Sequence, residues 1–271
     1  MPTIKAGDIN LEYYVEGSGP PLLMIMGFSG SAASWGEPVL EELRKHFTCI
    51  RFSNRGTGLS DKPNTQFTIR TMADDAANLL TALEIQRPHV FGISMGGMIA
   101  QEFVLNYPQR VNGLVLGCTT PGIAHGVQAA PETMAKMAPT PGSTPEEMVR
   151  NFMTILCSPG FIQRGAAFLD VMVAASLAQP TPMETMGLQM MAINTFDSYE
   201  RLPQIKAKTL VIHGDLDILV PPQNGKTLAE RIPGAELRTL PGAAHMFFWE
   251  EPQKSASLVT EFLSRVPAGA R

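Results

Sequence analysis

The sequence predicts an α/β fold: a mostly parallel central sheet with helices on both faces. Two observations predict it. Short continuous apolar runs, the mark of strands buried on both sides, alternate with segments of helical spacing. At 271 residues, with 44% hydrophobic and 17% charged residues, the chain can also bury a sizeable core without staples.

Ile9 to Glu16 alternates and is rich in β-formers, so it reads as an edge strand. Gly17-Ser18-Gly19-Pro20-Pro21 is a turn. Leu22 to Met26 is a continuous apolar run ending at Gly27, and Phe47 to Phe52 is a second. Met72 to Leu83 has helical spacing (Met72, Ala76, Leu79, Leu80, Leu83), with Asp74 and Asp75 near its start. His89 to Gly92 is a third short buried strand, Met95 to Leu105 a helix, and Val111 to Leu116 a fourth strand. Thr209 to Ile212 and Ala235 to Leu240 add two more, and Ser255 to Leu263 closes the chain as a helix. Between about Pro121 and Pro203 the rhythm breaks into helix-like blocks punctuated by Pro and Gly. That stretch reads as a helical insertion or a second subdomain.

Composition excludes several function classes. A net charge of -4 offers no basic face to a nucleic acid. Cys49, Cys118 and Cys157 have no metal-like spacing and form an odd set, against a disulfide framework or a zinc site. The polar stretch from Met1 to Pro20 lacks the basic start and apolar core of a signal peptide. Leu22 to Met26 is far shorter than the roughly 20 residues that span a bilayer. A cytoplasmic protein is the expectation.

The chemistry is carried by Gly92-Ile93-Ser94-Met95-Gly96, a G-x-S-x-G between a strand and a helix. A nucleophile on so sharp a turn needs small neighbours, and the N–H groups that follow it point at the oxygen that becomes negative in acyl transfer. A serine hydroxyl needs a base. Of the five histidines, His46, His89 and His213 read as surface or structural residues. His125 opens the irregular region, where it can reach a substrate. His245 lies in Gly242-Ala243-Ala244-His245, a small-residue loop after the last strand, where ligand-facing groups gather. The base needs an acid to fix its tautomer. Asp215 and Asp217 both follow the strand ending at Ile212. Asp217 is preferred, because Asp215 is nearer the strand end and can serve the turn.

With Ser94, Asp217 and His245 in that order, the chain resembles the α/β-hydrolase fold superfamily, in particular its serine esterase and lactonase-like members. Further motifs carry the resemblance. Arg55-Gly56-Thr57-Gly58-Leu59-Ser60 is similar to the family's R-G-x-G-x-S loop. Tyr107-Pro108-Gln109-Arg110-Val111 is similar to its Y-P-x-R-V step, and Glu250-Glu251-Pro252 to its E-x-P ending. The resemblance implies a core of residues 1–120 and 206–271 with a helical cap, or lid, at 121–205. It assigns the oxyanion-hole N–H groups to Phe28 and Met95. It also shows two departures. The usual His before Gly27 is Met26, and the usual Asp before the R-G-x-G loop is Ser53. Some members carry the acid after the sixth strand, but Gly117-Cys118-Thr119-Thr120 has no carboxylate.

The implied reaction is two-step acyl transfer through an acyl-enzyme, with no metal or organic cofactor. Nine of the 16 Met lie between Pro121 and Ile205, and only 11 residues there are charged. Methionine re-packs around varied apolar shapes. Met134, Met153, Met186 and Met190, with His125, are therefore the candidate substrate contacts. The expected activity is a serine hydrolase on small to medium, fairly apolar carboxylic esters. A lactonase of the enol-lactone type, a C–C bond hydrolase and a cofactor-free perhydrolase are the alternatives on the same triad. A non-catalytic ligand receptor is the alternative from another class. The expected partners are a small-molecule ester or lactone and water, with no nucleic acid and no membrane; a homo-oligomer is compatible with the sequence.

Overall fold

A computed structural model of the chain describes residues 2–137 and 141–266. Residues 138–140 and 267–271, which fall inside the expected cap and core ranges, lie outside the described residues. An eight-stranded sheet has the order β1-β2-β4-β3-β5-β6-β7-β8. The strands are β1 (Thr3–Ala6), β2 (Ile9–Gly17), β3 (Pro21–Ile25), β4 (Thr48–Phe52), β5 (His89–Ile93), β6 (Gly113–Gly117), β7 (Lys208–Gly214) and β8 (Glu236–Leu240). Pairing is antiparallel for β1–β2 and β2–β4 and parallel from there to β8. β5 and β6 are buried along their whole length, as the apolar runs predicted.

Alternation along the strands divides the core into two layers. Leu23, Ile25, Val90, Leu114, Leu116 and Val211 pack against α2 (Ile69–Ala82), α3 (Met95–Asn106) and α9 (Gln223–Arg231). Their neighbours Leu22, Met24, Phe91, Val115, Leu210 and Ile212 face α1 (Glu37–Leu43), α10 (Phe247–Glu250) and α11 (Pro252–Ser264).

Between β6 and β7 lie α4 (Pro131–Met137), α5 (Pro145–Leu156), α6 (Pro159–Arg164), α7 (Ala166–Ala178) and α8 (Met183–Asn194). The Pro residues that break the rhythm at 131, 145 and 159 open helices, because Pro fits the first turn without costing a hydrogen bond. Thr144 and Glu147 form a reciprocal cap at the start of α5. Among the described residues, these helices do not build a separate core. Met153, Leu156, Phe161, Leu169 and Met172 join the apolar cluster of Trp35, Phe247 and Phe248. Ala192 and Phe196 join the opposite layer.

Three elements differ from the sequence reading. The strand at 9–17 is not an edge strand, because the short β1 pairs outside it. The helix expected from Met72 starts at Ile69, where Thr68 caps it with Thr71. α9 was not predicted, because it carries Gly225 and few apolar residues. Among the described residues, no helix is long and apolar enough to cross a membrane.

Candidate active site

Ser94 joins β5 to α3 with φ 56° and ψ −121°, a backbone region that costs energy for any residue but Gly. Its surroundings enforce that conformation. A Cβ on Gly92 would lie 2.2 Å from the Gly96 carbonyl oxygen, and one on Gly96 would lie 2.1 Å from that of Ile25. Strand and helix therefore meet at backbone contact, and only glycine fits. From β6, Ser94 N–H donates to Gly117 O at 2.9 Å, and Thr119 Oγ1 donates to Ser94 O at 2.7 Å. Met95 opens α3, so its N–H belongs to a first turn without intrahelical acceptors.

The loop after β3 approaches from the other side. A Cβ on Gly27 would lie 3.0 Å from Ser94 Cβ and 3.6 Å from its Oγ. The Gly27-Phe28 peptide is thus adjacent to the serine side chain. Met26, in place of the usual His, is buried, and its carbonyl accepts from Asn54 Nδ2 at 2.8 Å. Ser53, in place of the usual Asp, donates to Glu12 Oε2 at 2.6 Å and accepts from Ala32 N–H at 2.9 Å. Glu12 on β2 therefore brings a carboxylate to the side of Ser53. Burial works to raise the Glu12 pKa. Hydrogen bonds from Ser53, Leu59 N–H and Tyr14, with Arg51 nearby, outweigh burial and hold it below the ordinary value.

His245 and Asp217 meet in a buried pair. His245 Nδ1 donates to Asp217 Oδ2 at 2.8 Å, so in the neutral ring Nε2 is the nitrogen free to take a proton. Asp217 Oδ1 accepts from Leu219 N–H at 3.0 Å and Val220 N–H at 2.9 Å. Burial opposes ionisation of Asp217, but the charge of His245 and the hydrogen bonds from both His213 and His245 hold its pKa down to about 2. Burial likewise opposes protonation of His245, yet the Asp217 carboxylate raises its pKa well above the ordinary value. Asp215 lies apart, exposed, and accepts from Gly242 N–H at 2.7 Å. Gly214 lets the two loops touch: a Cβ there would lie 2.3 Å from the Ala243 and Ala244 carbonyl oxygens. Ser94 Oγ makes no hydrogen bond to His245 among the described residues; such contacts often tighten only with substrate bound.

Two further side chains belong to this cluster. His213, read from sequence as structural, donates from Nε2 to Val220 O at 2.8 Å and lies 3.3 Å from Asp217 Oδ2, so two imidazoles flank one acid. The only sequence signal was its four-residue spacing from Asp217. Cys118, with φ 39°, is wholly buried beside His245, and burial pushes its thiol pKa up. Ligand atoms of Cys118, Asp217 and His245 lie within 4.8 Å of one another. The 2.8 Å His245–Asp217 contact is closer than two ligands sit around one tetrahedral zinc, roughly 3.4 Å apart from bond lengths near 2.1 Å, so the pair is set as a hydrogen bond.

The candidate substrate contacts are spread more widely. Met153 is buried in the apolar cluster with Trp35 and Phe247. Met186 and Met190 are half-buried on α8, and Met134 is exposed on α4. His125 is exposed, donates from Nδ1 to Asp197 Oδ2 at 2.8 Å, and stacks on Tyr199 with ring centroids 4.3 Å apart.

Comparison with known proteins gives these features a context. A family model described as "alpha/beta hydrolase fold" matches residues 20–154 and 171–252. A protein of Azorhizobium caulinodans, provisionally named the carbamate hydrolase RutD, is 30% identical over 98% of this chain and 99% of its own. A thermophilic esterase from Thermogutta terrifontis superposes with a TM-score of 0.82 at 26% identity, covering 98% of each chain. A meta-cleavage product hydrolase from Pseudomonas fluorescens IP01 superposes at 0.85 with 25% identity, again over 98% of each.

Proposed function

This chain belongs to the alpha/beta hydrolase fold family, and on that premise we propose that it is a serine hydrolase cleaving carboxylic esters of small to medium, fairly apolar substrates. One observation carries the reading. A buried His245–Asp217 pair clusters with Cys118, whose thiol also neighbours the backbone of Ser94, a serine on a strained strand-to-helix turn. Esters are the simplest substrates for this set, because the leaving alcohol takes one proton and water completes the cycle.

In this reading Ser94 Oγ attacks the carbonyl while His245 Nε2 takes its proton. Asp217 holds the ring through Nδ1 and stabilises the imidazolium that forms. The N–H groups of Phe28 and Met95 receive the developing oxyanion. His245 then protonates the leaving alcohol, and water repeats the sequence on the acyl-enzyme. The helices between β6 and β7 form the cap. Their low charge, 11 residues in the 85 from 121 to 205, supports an apolar substrate.

The test is a panel of p-nitrophenyl esters of increasing acyl length with small lactones beside them, and a fluorophosphonate probe. Turnover together with probe labelling that Ser94→Ala abolishes is the expected result. No turnover and no labelling of the wild type would sink the proposal. Turnover of lactones alone would move the substrate class to cyclic esters.

A further inference from the structure

The loop that carries Phe28 does not hold its own shape. Its next residue, Ser29, has φ 58°, in the left-handed region that disfavours a side chain. Such a residue persists where its surroundings over-determine it. Within the loop, the one backbone bond is Gly30 N–H to Gly27 O at 3.2 Å. The stronger restraints come from about 150 residues away. Gln189 on α8, fully buried, accepts from Ser29 N–H through Oε1 at 2.8 Å. Its Nε2 donates to Arg55 O at 3.3 Å, so the amide is fixed from both ends. Thr181, just before α8, donates from Oγ1 to Ser29 O at 2.9 Å. One turn earlier on α8, Thr185 packs so closely on Gly56 that a Cβ there would lie 2.0 Å from its Cγ2.

Both peptide groups of Ser29 are therefore gripped from the inserted helices. The first of them contains the Phe28 carbonyl and is joined through the Phe28 Cα to the peptide that carries the Phe28 N–H, so holding its plane restricts the directions that N–H can take. We propose that Gln189 is a positioning residue of the oxyanion hole: the α8 amide aims the Phe28 N–H, and docking of the insertion is a condition of acyl transfer itself. The inference rests on the serine hydrolase reading above. It makes the insertion part of the machinery that stabilises charge, in addition to anything it does for substrate access.

The test compares wild type with Gln189→Met, which keeps the volume and removes both amide bonds, and with Thr181→Val. On one p-nitrophenyl ester, Gln189→Met is expected to lower kcat and kcat/KM together, on the order of 10- to 100-fold, with KM within about twofold. An alkyl boronic acid, whose tetrahedral adduct places an oxygen in the hole, should lose affinity in the same proportion. Thr181→Val should show the same pattern at roughly threefold to tenfold. It reports on the clamp even if Gln189→Met does not fold. Unchanged kcat in folded Gln189→Met, or in Thr181→Val if that alone folds, would overturn the inference, as would a rise in KM alone, which would make α8 a wall of the pocket. A wild type that neither turns over nor labels would instead remove the hydrolase reading beneath it.

Discussion

The two halves of the candidate site are held in opposite ways. The serine turn is specified locally. Its strained conformation follows from Gly92 and Gly96, two residues either side of Ser94, which let strand and helix close to contact. The Phe28 loop also has a residue at positive φ, Ser29, but its restraints are Gln189 and Thr181, over 150 positions along the chain. The difference teaches that strain alone does not make a motif. A motif appears where the residues that enforce the strain are also near in sequence.

Substitutions can break this comparison at several depths. The serine side should break hardest. Ser94→Ala should reduce ester turnover by about 10⁶ in kcat, while leaving the melting temperature near wild type. Asp217→Asn should cost on the order of 10⁴, from loss of the His245 tautomer, whereas Asp215→Asn should stay within about tenfold, read in the same kcat/KM assay. Gly27→Ala places a methyl 3.0 Å from Ser94 Cβ, and about a hundredfold loss in kcat is expected with folding retained by circular dichroism.

The pH dependence sharpens the pair behind the serine. The base must be neutral, and the Asp217 carboxylate raises the His245 pKa. The acid limb of kcat/KM should therefore have its midpoint above 6.5 and move down in Asp217→Asn. Stability follows the same groups with opposite signs. The contribution of Asp217, whose folded pKa is lowered, is present above its unfolded value of 3.8 and is lost as pH falls through about 2. That of His245, whose folded pKa is raised, is present below 6.5 and is lost as pH rises through the folded value. The melting-temperature gap between wild type and Asp217→Asn should be widest between pH 4 and 6.5. The smallest effect on activity is expected for Ser53→Ala. It removes the Glu12 and Ala32 bonds and should cost about 1–3 kcal/mol in stability with kcat near wild type, read by urea titration.

Much of this was legible in the sequence for a physical reason. Buried parallel strands must be apolar throughout, so β3, β5 and β6 announced themselves, and Ser94 came with its glycines. The interval between β6 and β7 was readable as helical, since Pro131, Pro145 and Pro159 sit where helices tolerate them. What stayed hidden was contact across distance. His213 shows only a four-residue spacing from Asp217, Glu12 carries no sign that it meets Ser53, and Gln189 none that it reaches Ser29. β1 was too short to give a period, and the polar residues of α9 masked its one apolar face.

The insertion is fastened on its far side as well. Leu156 O accepts from Met246 N–H at 2.9 Å, and Glu250 joins Ser158 N–H to Ala244 N–H, each at 3.0 Å, on either side of His245. A segment tied to both the Phe28 loop and the His245 loop is a keystone more than a door. Transplanting foreign helices into the interval between β6 and β7 would have to carry over both fastenings, or the exchange would trade the substrate preference it sought for a misaligned site.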